Sequence, residues 1–142
     1  MMHSRDDRQQ RVYQWAVRTF GVGASQRDER LCRFFEEALE FVQACGVSRA
    51  MVNTIVEYVY SRPVGEARQE AGAAGLTLLA ACEVLGFSAD DAERAEFVRA
   101  LSKDPTKLRD KQNVKAAAGV GVHICACRRA DDPGACACRG VR

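Results

Sequence analysis

Helical periodicity is the feature that most constrains how this 142-residue chain can fold. Apolar residues recur three and four positions apart through most of the sequence, and no segment alternates apolar and polar residues as a half-buried strand does. The links between these segments are short, which favours antiparallel packing of neighbouring helices. The pattern predicts an all-α fold: an antiparallel helical bundle in residues 1–118, followed by an irregular tail in residues 119–142.

The predicted helices begin and end at residues that favour helix termini. Gly46 and Gly86 suit the position just after a helix, Ser48 and Ser88 suit N-caps, and Pro105 suits a first turn. Because the fourth helix is rich in alanine and leucine, we expect it to lie at the centre of the bundle. The predicted helices cover residues 6–20, 27–45, 49–60, 64–85, 89–102 and 106–118.

Charge and hydropathy narrow the classes of partner. The formal net charge is +2, and the tail alone carries that excess, so residues 1–118 lack the basic patch that nucleic-acid binding requires. No apolar run approaches the roughly twenty residues of a membrane-spanning helix, and the N-terminal residues are too polar for a secretory signal. We therefore expect a cytoplasmic protein without membrane or nucleic-acid partners, in the host cytoplasm if the chain is phage-encoded.

The second predicted helix carries an acidic stripe, formed by Glu36, Glu37 and Glu40. The spacing of these residues places all three carboxylates on one narrow arc, where they repel one another. Arg33 can reach Glu36 or Glu37, but one guanidinium cannot neutralise three carboxylates. A solvated helix face is the plain interpretation, and a bound cation is the alternative.

Glu70 on the fourth helix favours the cation. A carboxylate on a central, mostly apolar helix needs a partner, because an unpaired buried charge is very costly. If Glu70 faces the acidic stripe, a divalent metal ion is the natural partner. Four carboxylates without histidine form a hard oxygen site, which suits Mg²⁺ or Mn²⁺.

Basic residues near the end of the helical region complete this interpretation. Magnesium held by carboxylates commonly also binds substrate phosphates, whose remaining oxygens need cationic side chains. A solvated helix C-terminus explains such a cluster equally simply, since cations are favoured there. Together with the acids, the cluster indicates a phosphate-ester or phosphoanhydride hydrolase. Its members are Lys103, Lys107, Arg109, Lys111 and Lys115.

These acids carry a family resemblance. Glu36-Glu37-x-x-Glu40 followed by Glu70 resembles the EExxE…ExxD signature of the MazG-like all-α nucleoside triphosphate pyrophosphohydrolases, and most closely their small phage and bacterial members. The similarity covers about residues 10 to 115. Its further elements lie in residues 29–40, 58–66, 69–78 and 107–112.

The resemblance implies an activity and a set of site residues. The reaction converts a nucleoside triphosphate and water to the monophosphate and diphosphate with Mg²⁺ or Mn²⁺, in a homodimer or homotetramer. The metal ligands are then Glu36, Glu37, Glu40 and Glu70, and one of the first three positions or deprotonates the attacking water. The β- and γ-phosphate oxygens are then held by Lys103, Lys107, Arg109 and Lys111.

One position departs from the family pattern, and the base preference rests on analogy. Ala73 stands where the signature has its aspartate, so either the site uses fewer protein ligands or Glu66 or Glu57 compensates. For the nucleobase, Trp15 can stack and Asn53 can read a base edge, although a lone tryptophan at helical spacing also suits a core. Phage members that supply dGMP for 2-aminoadenine DNA make dGTP the first expected substrate.

Cysteines fall into two groups. Cys32, Cys45 and Cys82 lie singly within helical patterns, where a thiol usually behaves as a small buried hydrophobe. The others lie in the tail, where they suit either a zinc site or a dispensable disordered segment. Their CxC spacing and the surrounding polar residues favour the disordered segment. A non-enzymatic helical interaction or regulatory module with a zinc- or partner-binding tail is thus the alternative function. The tail cysteines are Cys125, Cys127, Cys136 and Cys138.

Overall fold

The computed structural model describes residues 4–121, and every regular element in that range is helical. The all-α prediction is confirmed. A short 3₁₀ helix, Val22–Ser25, separates α1 from α2. The predictions for residues 122–142, including the zinc site, lie outside the described residues. The α-helices are α1 (Arg5–Phe20), α2 (Arg27–Ala44), α3 (Arg49–Tyr60), α4 (Ala67–Leu85), α5 (Ala89–Leu101) and α6 (Pro105–Ala117).

Helix termini follow the predicted signals closely. Gly46 and Gly86 have φ values of 84° and 79°, the left-handed conformation that glycine adopts without a Cβ penalty. The hydroxyls of Ser48 and Ser88 accept hydrogen bonds from backbone amides three residues later, both at 3.2 Å. Pro105 opens α6 as predicted. Local chemistry therefore determines where these helices begin and end.

The start of α4 differs from the prediction. The helix begins at Ala67 because Glu66 is its N-cap: the Glu66 carboxylate accepts from the backbone N–H groups of Arg68 and Gln69, at 3.0 and 2.8 Å. A glutamate in this role was missed because serine, threonine, aspartate and asparagine are the usual N-caps.

The described chain divides into two compact units. The first comprises residues 4–38 and 101–121, and in it α1 packs against α6. Arg109 Nη1 donates to the backbone carbonyl of Thr19 at 3.0 Å, which joins the last helix to the end of the first. Polar side chains share the interior with apolar ones. The buried residues of this unit are Ala16, Thr19, Ala24, Glu29 and Gln112.

The second unit, Leu39–Ala100, is built differently. Cys82 is its one buried residue, and α4 is otherwise largely exposed, so the prediction that α4 is central within the chain is wrong. The alanine side chains of α4 make the helix apolar in composition, but they are small and bury little area. Helices α4 and α5 meet at 99° and are not antiparallel, because Gly86 turns the chain sharply between them. A short link permits antiparallel packing without requiring it.

Two further expectations concern the cysteines and the apolar length of the helices. Cys82 is buried as predicted, whereas Cys32 and Cys45 are exposed, because the described part of the chain does not cover their helix faces. No single helix in residues 4–121 has the length and apolar composition of a membrane span. Helices α4 and α5 meet both criteria only when they are counted as one segment across the bend between them.

Candidate functional site

Helix α2 presents the acidic stripe as the spacing predicted. It is unbroken from Arg27 to Ala44, so Glu36, Glu37 and Glu40 share one arc of its surface. Glu37 and Glu40 are exposed, whereas Glu36 is partly buried. The three acids therefore lie in two environments, and Glu36 is the one held by its neighbours.

Two cations hold Glu36. Arg33, one turn earlier on α2, donates from Nη1 to Glu36 Oε2, which confirms that Arg33 reaches the acidic stripe. Lys115 Nζ on α6 lies 2.9 Å from each carboxylate oxygen of Glu36. The Glu36–Lys115 pair thus joins α2 to a helix 79 positions away in sequence.

Behind this pair lies a fully buried carboxylate, Glu29. Its Oε1 accepts from Gln112 Nε2 at 2.5 Å and lies 3.2 Å from Arg33 Nε and 3.6 Å from Arg30 Nη2. A charge with no exposed surface is stable only when it is paired and hydrogen-bonded. Glu29 therefore fixes the rotation of α6 against α2, which brings Lys115 to Glu36.

Arg33 is the hub of this network. Besides its contacts with Glu29 and Glu36, it donates from Nη2 to the backbone carbonyl of Val120 at 2.7 Å. The next residue, Gly121, has a φ of 104°. A Cβ there would lie 2.8 Å from both Arg33 Nη2 and Glu29 Oε2. The chain leaving α6 thus closes over the buried charges, and position 121 requires glycine.

Not every polar atom in the network is satisfied. Arg33 Nε is close enough to Glu29 for a charge contact, but the angle excludes a hydrogen bond, and Arg30 Nε and Asn113 Oδ1 are also buried without a hydrogen-bond partner. Burial lowers the pKa of Arg30 from its ordinary value, against the opposing effect of Glu29. Its guanidinium lies 5.9 Å from the centre of the Phe20 ring.

Glu70 belongs to the second unit, in the exposed first turn of α4. Its carboxylate lies against the backbone of Gly65, where a Cβ would overlap it. Ala73 is exposed one turn later, and Glu57 is exposed on α3. Glu66 is engaged as the N-cap, and the two backbone hydrogen bonds it accepts lower its pKa. Convergence of Glu70 with the acidic stripe stays a prediction, as does compensation by Glu57 or Glu66.

The predicted phosphate-binding residues divide by their contacts. Arg109 uses its guanidinium within the fold, donating to Thr19 and, at 3.2 Å, to Thr106 Oγ1. Lys107 and Lys111 are exposed, and Lys103 is partly buried. Because Lys107, Lys111 and Lys115 are four residues apart on α6, they form a lysine stripe along one side of the helix.

The two predicted base-contacting residues lie on different helices. Trp15 on α1 is partly buried and packs edge-on against Phe20, with ring centres 5.8 Å apart and planes at 84°. This contact gives Trp15 a packing role. Asn53 is exposed on α3.

The donor chemistry suits a hard divalent cation. Carboxylate oxygens are the ligands that Mg²⁺ and Mn²⁺ prefer, and Glu36 already attracts two positive groups. Within residues 4–121, however, no three His, Cys, Asp or Glu side chains are arranged to hold a metal ion together. The carboxylates therefore suit the cation in chemical type, but within residues 4–121 their arrangement does not form a site for it.

Comparison with known proteins adds nothing to this picture: no family model, curated protein or solved structure matches the chain. The residues that sequence reasoning missed are Glu29, Gln112 and Gly121. The spacing of Glu29, Arg33 and Glu36 on α2 signals a chain of ion pairs. Gln112 and Gly121 meet Glu29 only in the folded chain and leave no local signal.

Proposed function

We propose that this protein is a MazG-like nucleoside triphosphate pyrophosphohydrolase that uses Mg²⁺ or Mn²⁺, with dGTP the first substrate to test. The observation that carries the proposal is the Glu36–Lys115 pair, in which one carboxylate of the acidic stripe meets the lysine stripe of α6; both residues of the pair lie in the first unit. Metal-binding carboxylates beside phosphate-binding ammonium groups are what hydrolysis of a triphosphate requires.

The chain's own residues have separate tasks in this reaction. Glu36, Glu37, Glu40 and Glu70 are the residues that would hold a divalent ion, which would supply charge neutralisation at the phosphates and a lower pKa for water. A carboxylate oxygen of Glu37 or Glu40, both exposed, orients the attacking water and takes its proton. Lys107 and Lys111 bind the β- and γ-phosphate oxygens. Attack at the α-phosphorus breaks the bridge to the β-phosphate and yields monophosphate and diphosphate.

The direct test is incubation with each nucleoside and deoxynucleoside triphosphate in the presence of Mg²⁺ or Mn²⁺. We expect monophosphate and diphosphate in equal amounts; release of orthophosphate contradicts the proposed bond cleavage. Glu37→Gln and Glu40→Gln should abolish turnover without changing helix content by circular dichroism. Glu83→Gln, at an exposed glutamate of α4 outside the proposed site, is the matched control and should retain full turnover.

The proposed assembly is a homodimer or homotetramer, supported by an apolar stripe on α3. Met51, Ile55 and Tyr58 recur at helical spacing with exposed fractions of 54%, 51% and 60%. Contiguous exposed apolar surface of this kind commonly marks an interaction site. Met51→Lys combined with Ile55→Lys should lower the mass measured by light scattering to that of one chain. Val64→Lys, at a fully exposed valine outside this stripe, should leave the mass unchanged.

The same apolar stripe favours the second candidate function, a helical interaction module without catalysis. In that case the stripe receives a different protein. The purified chain is then monomeric by light scattering and inactive on every triphosphate, and Glu37→Gln has no measurable effect. This combination of results separates the module from the hydrolase.

A further inference from the structure

Contacts within single helices are prominent in the second unit. The capping bonds of Ser48 and Glu66 lie within α3 and α4, and the Arg94–Asp90 ion pair, 2.6 Å long, lies within α5. Contacts of this kind define a helix but do not join it to another one. Isolated helices shorter than about 12–15 residues are marginal in water, and α3 and α5 have 12 and 13 residues. Their stability therefore requires packing against a further surface.

The second unit supplies little of this packing itself. Among residues 39–100, all of which the structure describes, Cys82 is the one buried residue. Large apolar side chains are exposed instead: Leu76 and Val84 of α4 are 70% and 88% exposed. A domain of about 60 residues ordinarily buries about 60% of the surface of its unfolded chain. Because the second unit lacks such a core, ordering its helices requires apolar surface from outside the unit.

The apolar stripe of α3 fits a second copy of itself. It comprises Met51, Ile55 and Tyr58, and the two charged residues of α3, Arg49 and Glu57, lie on the opposite side of the helix. Two antiparallel copies related by a two-fold axis then pair Ile55 with Ile55 and Met51 with Tyr58. No like charges meet along this line of contact, so the stripe is self-complementary.

The exposed apolar area is of the size that a stable dimer needs. Large side chains of α3 and α4 together expose apolar area on the order of 400 Å² per chain. Each partner in a standard interface buries about 800 Å², and somewhat more than half of it, about 56–58%, is apolar. The surface of α3 and α4 therefore matches the apolar contribution of one partner. These side chains are Met51, Ile55, Tyr58, Val59, Leu76 and Leu79.

We infer that the second unit folds only as it pairs with a second copy of this chain, α3 against α3, whereas the first unit folds within a single chain. The inference rests on the proposed homodimer and states how that dimer forms. In the first unit, the Glu29–Gln112 and Glu36–Lys115 contacts already join α2 to α6 within one chain. Separation of the two copies and unfolding of α3, α4 and α5 are therefore one event.

The test follows the two units separately in urea, on the full chain at two concentrations about 100-fold apart. Trp15 is the single tryptophan of the sequence and lies in α1, so its fluorescence reports the first unit. Circular dichroism reports all helices, and about half of the helical residues lie in α3, α4 and α5. We expect about half of the helical signal to disappear in a transition whose midpoint rises with chain concentration. The midpoint of the Trp15 transition should stay the same.

A substitution on the apolar stripe separates the copies without urea. Ile55→Lys places two ammonium groups opposite each other at the two-fold axis, and lysine favours a helix more than isoleucine does, so any loss of helix comes from lost pairing. We expect the mass of one chain by light scattering, loss of about half of the helical signal and unchanged Trp15 fluorescence. Val114→Lys, at a 70% exposed valine of α6, is the matched control and should leave all three unchanged.

Four results overturn the inference. An Ile55→Lys protein that stays dimeric shows that the stripe is not the interface. An Ile55→Lys protein with the mass of one chain and its full helical signal, or urea transitions that do not depend on chain concentration, show that the second unit folds alone. A Trp15 transition that moves with chain concentration shows that the first unit does not. If Ile55→Lys also loses its Trp15 signal, the urea series of the unmodified chain decides.

Failure of this inference and failure of the proposed function give different results. Triphosphate hydrolysis is measured on the same unmodified protein. Coupled folding and pairing without turnover overturns the hydrolase and leaves the inference standing. Turnover by a chain whose second unit folds alone overturns the inference and leaves the hydrolase standing.

Discussion

The two units of this protein reach stability by different means. In the first, side chains from distant parts of the sequence pair by hydrogen bonds and charge, as in the Glu29–Gln112 and Glu36–Lys115 contacts. In the second, a helix rich in alanine and leucine leaves nearly all of its surface exposed and buries Cys82. Apolar composition therefore does not identify the buried part of this chain. Within residues 4–121 the most completely buried large side chain is a charged one, Glu29.

Removal of the buried charge in the first unit is the strongest test of this contrast. Glu29→Ala leaves Arg30, Arg33 and Gln112 without the carboxylate that all three contact, and breaking one partner of a buried pair typically costs about 3–5 kcal/mol. We expect a loss of that size in the free energy of unfolding, measured by urea denaturation. Glu83→Ala, at an exposed glutamate of the second unit, should change it by less than about 0.5 kcal/mol. Equal effects at both positions would contradict the contrast.

A pair of glycine substitutions sharpens the comparison with opposite expected signs. Gly121→Ala forces a Cβ against Arg33 and Glu29 at a positive φ, and we expect unfolding free energy to fall by about 1–3 kcal/mol. Gly72→Ala, inside α4 with open space around it, should raise it by about 0.4–1 kcal/mol. Thermal or urea unfolding of the two variants checks both signs; stabilisation by Gly121→Ala would show that the chain after α6 is not held against α2.

The smallest expected effect concerns pH and the second unit. Backbone hydrogen bonds lower the pKa of Glu66 below its ordinary value of 4.5, so the ionised cap stabilises the folded state above that pH. The stabilisation disappears as the pH falls through the lowered pKa of the folded protein. We expect the protection of the Arg68 and Gln69 amides against exchange, relative to an unfolded chain at the same pH, to fall over this range, as measured by NMR. In Glu66→Gln the protection should lose this pH dependence; its persistence would assign the transition to another group.

Sequence reasoning recovered what local chemistry determines. Ser48, Gly86 and Pro105 define helix ends through contacts with their own neighbours, and Arg33 reaches Glu36 because both lie on one helix. It failed where distant segments decide the outcome. The burial of Glu29 depends on Gln112, 83 positions later in the sequence, and the exposure of α4 depends on what packs beside it. The acidic stripe follows from periodicity, whereas its connection to Lys115 does not.

The Val120 carbonyl also determines how far the chain can be shortened. The helical region was expected to end at residue 118, yet Arg33 binds Val120 and fits against Gly121. A protein cut after Gly119 therefore loses an acceptor that orients the guanidinium beside Glu36, whereas one cut after Gly121 keeps it. The two shortened proteins, one without and one with Val120 and Gly121, should therefore differ in activity, although neither contains a cysteine of the tail.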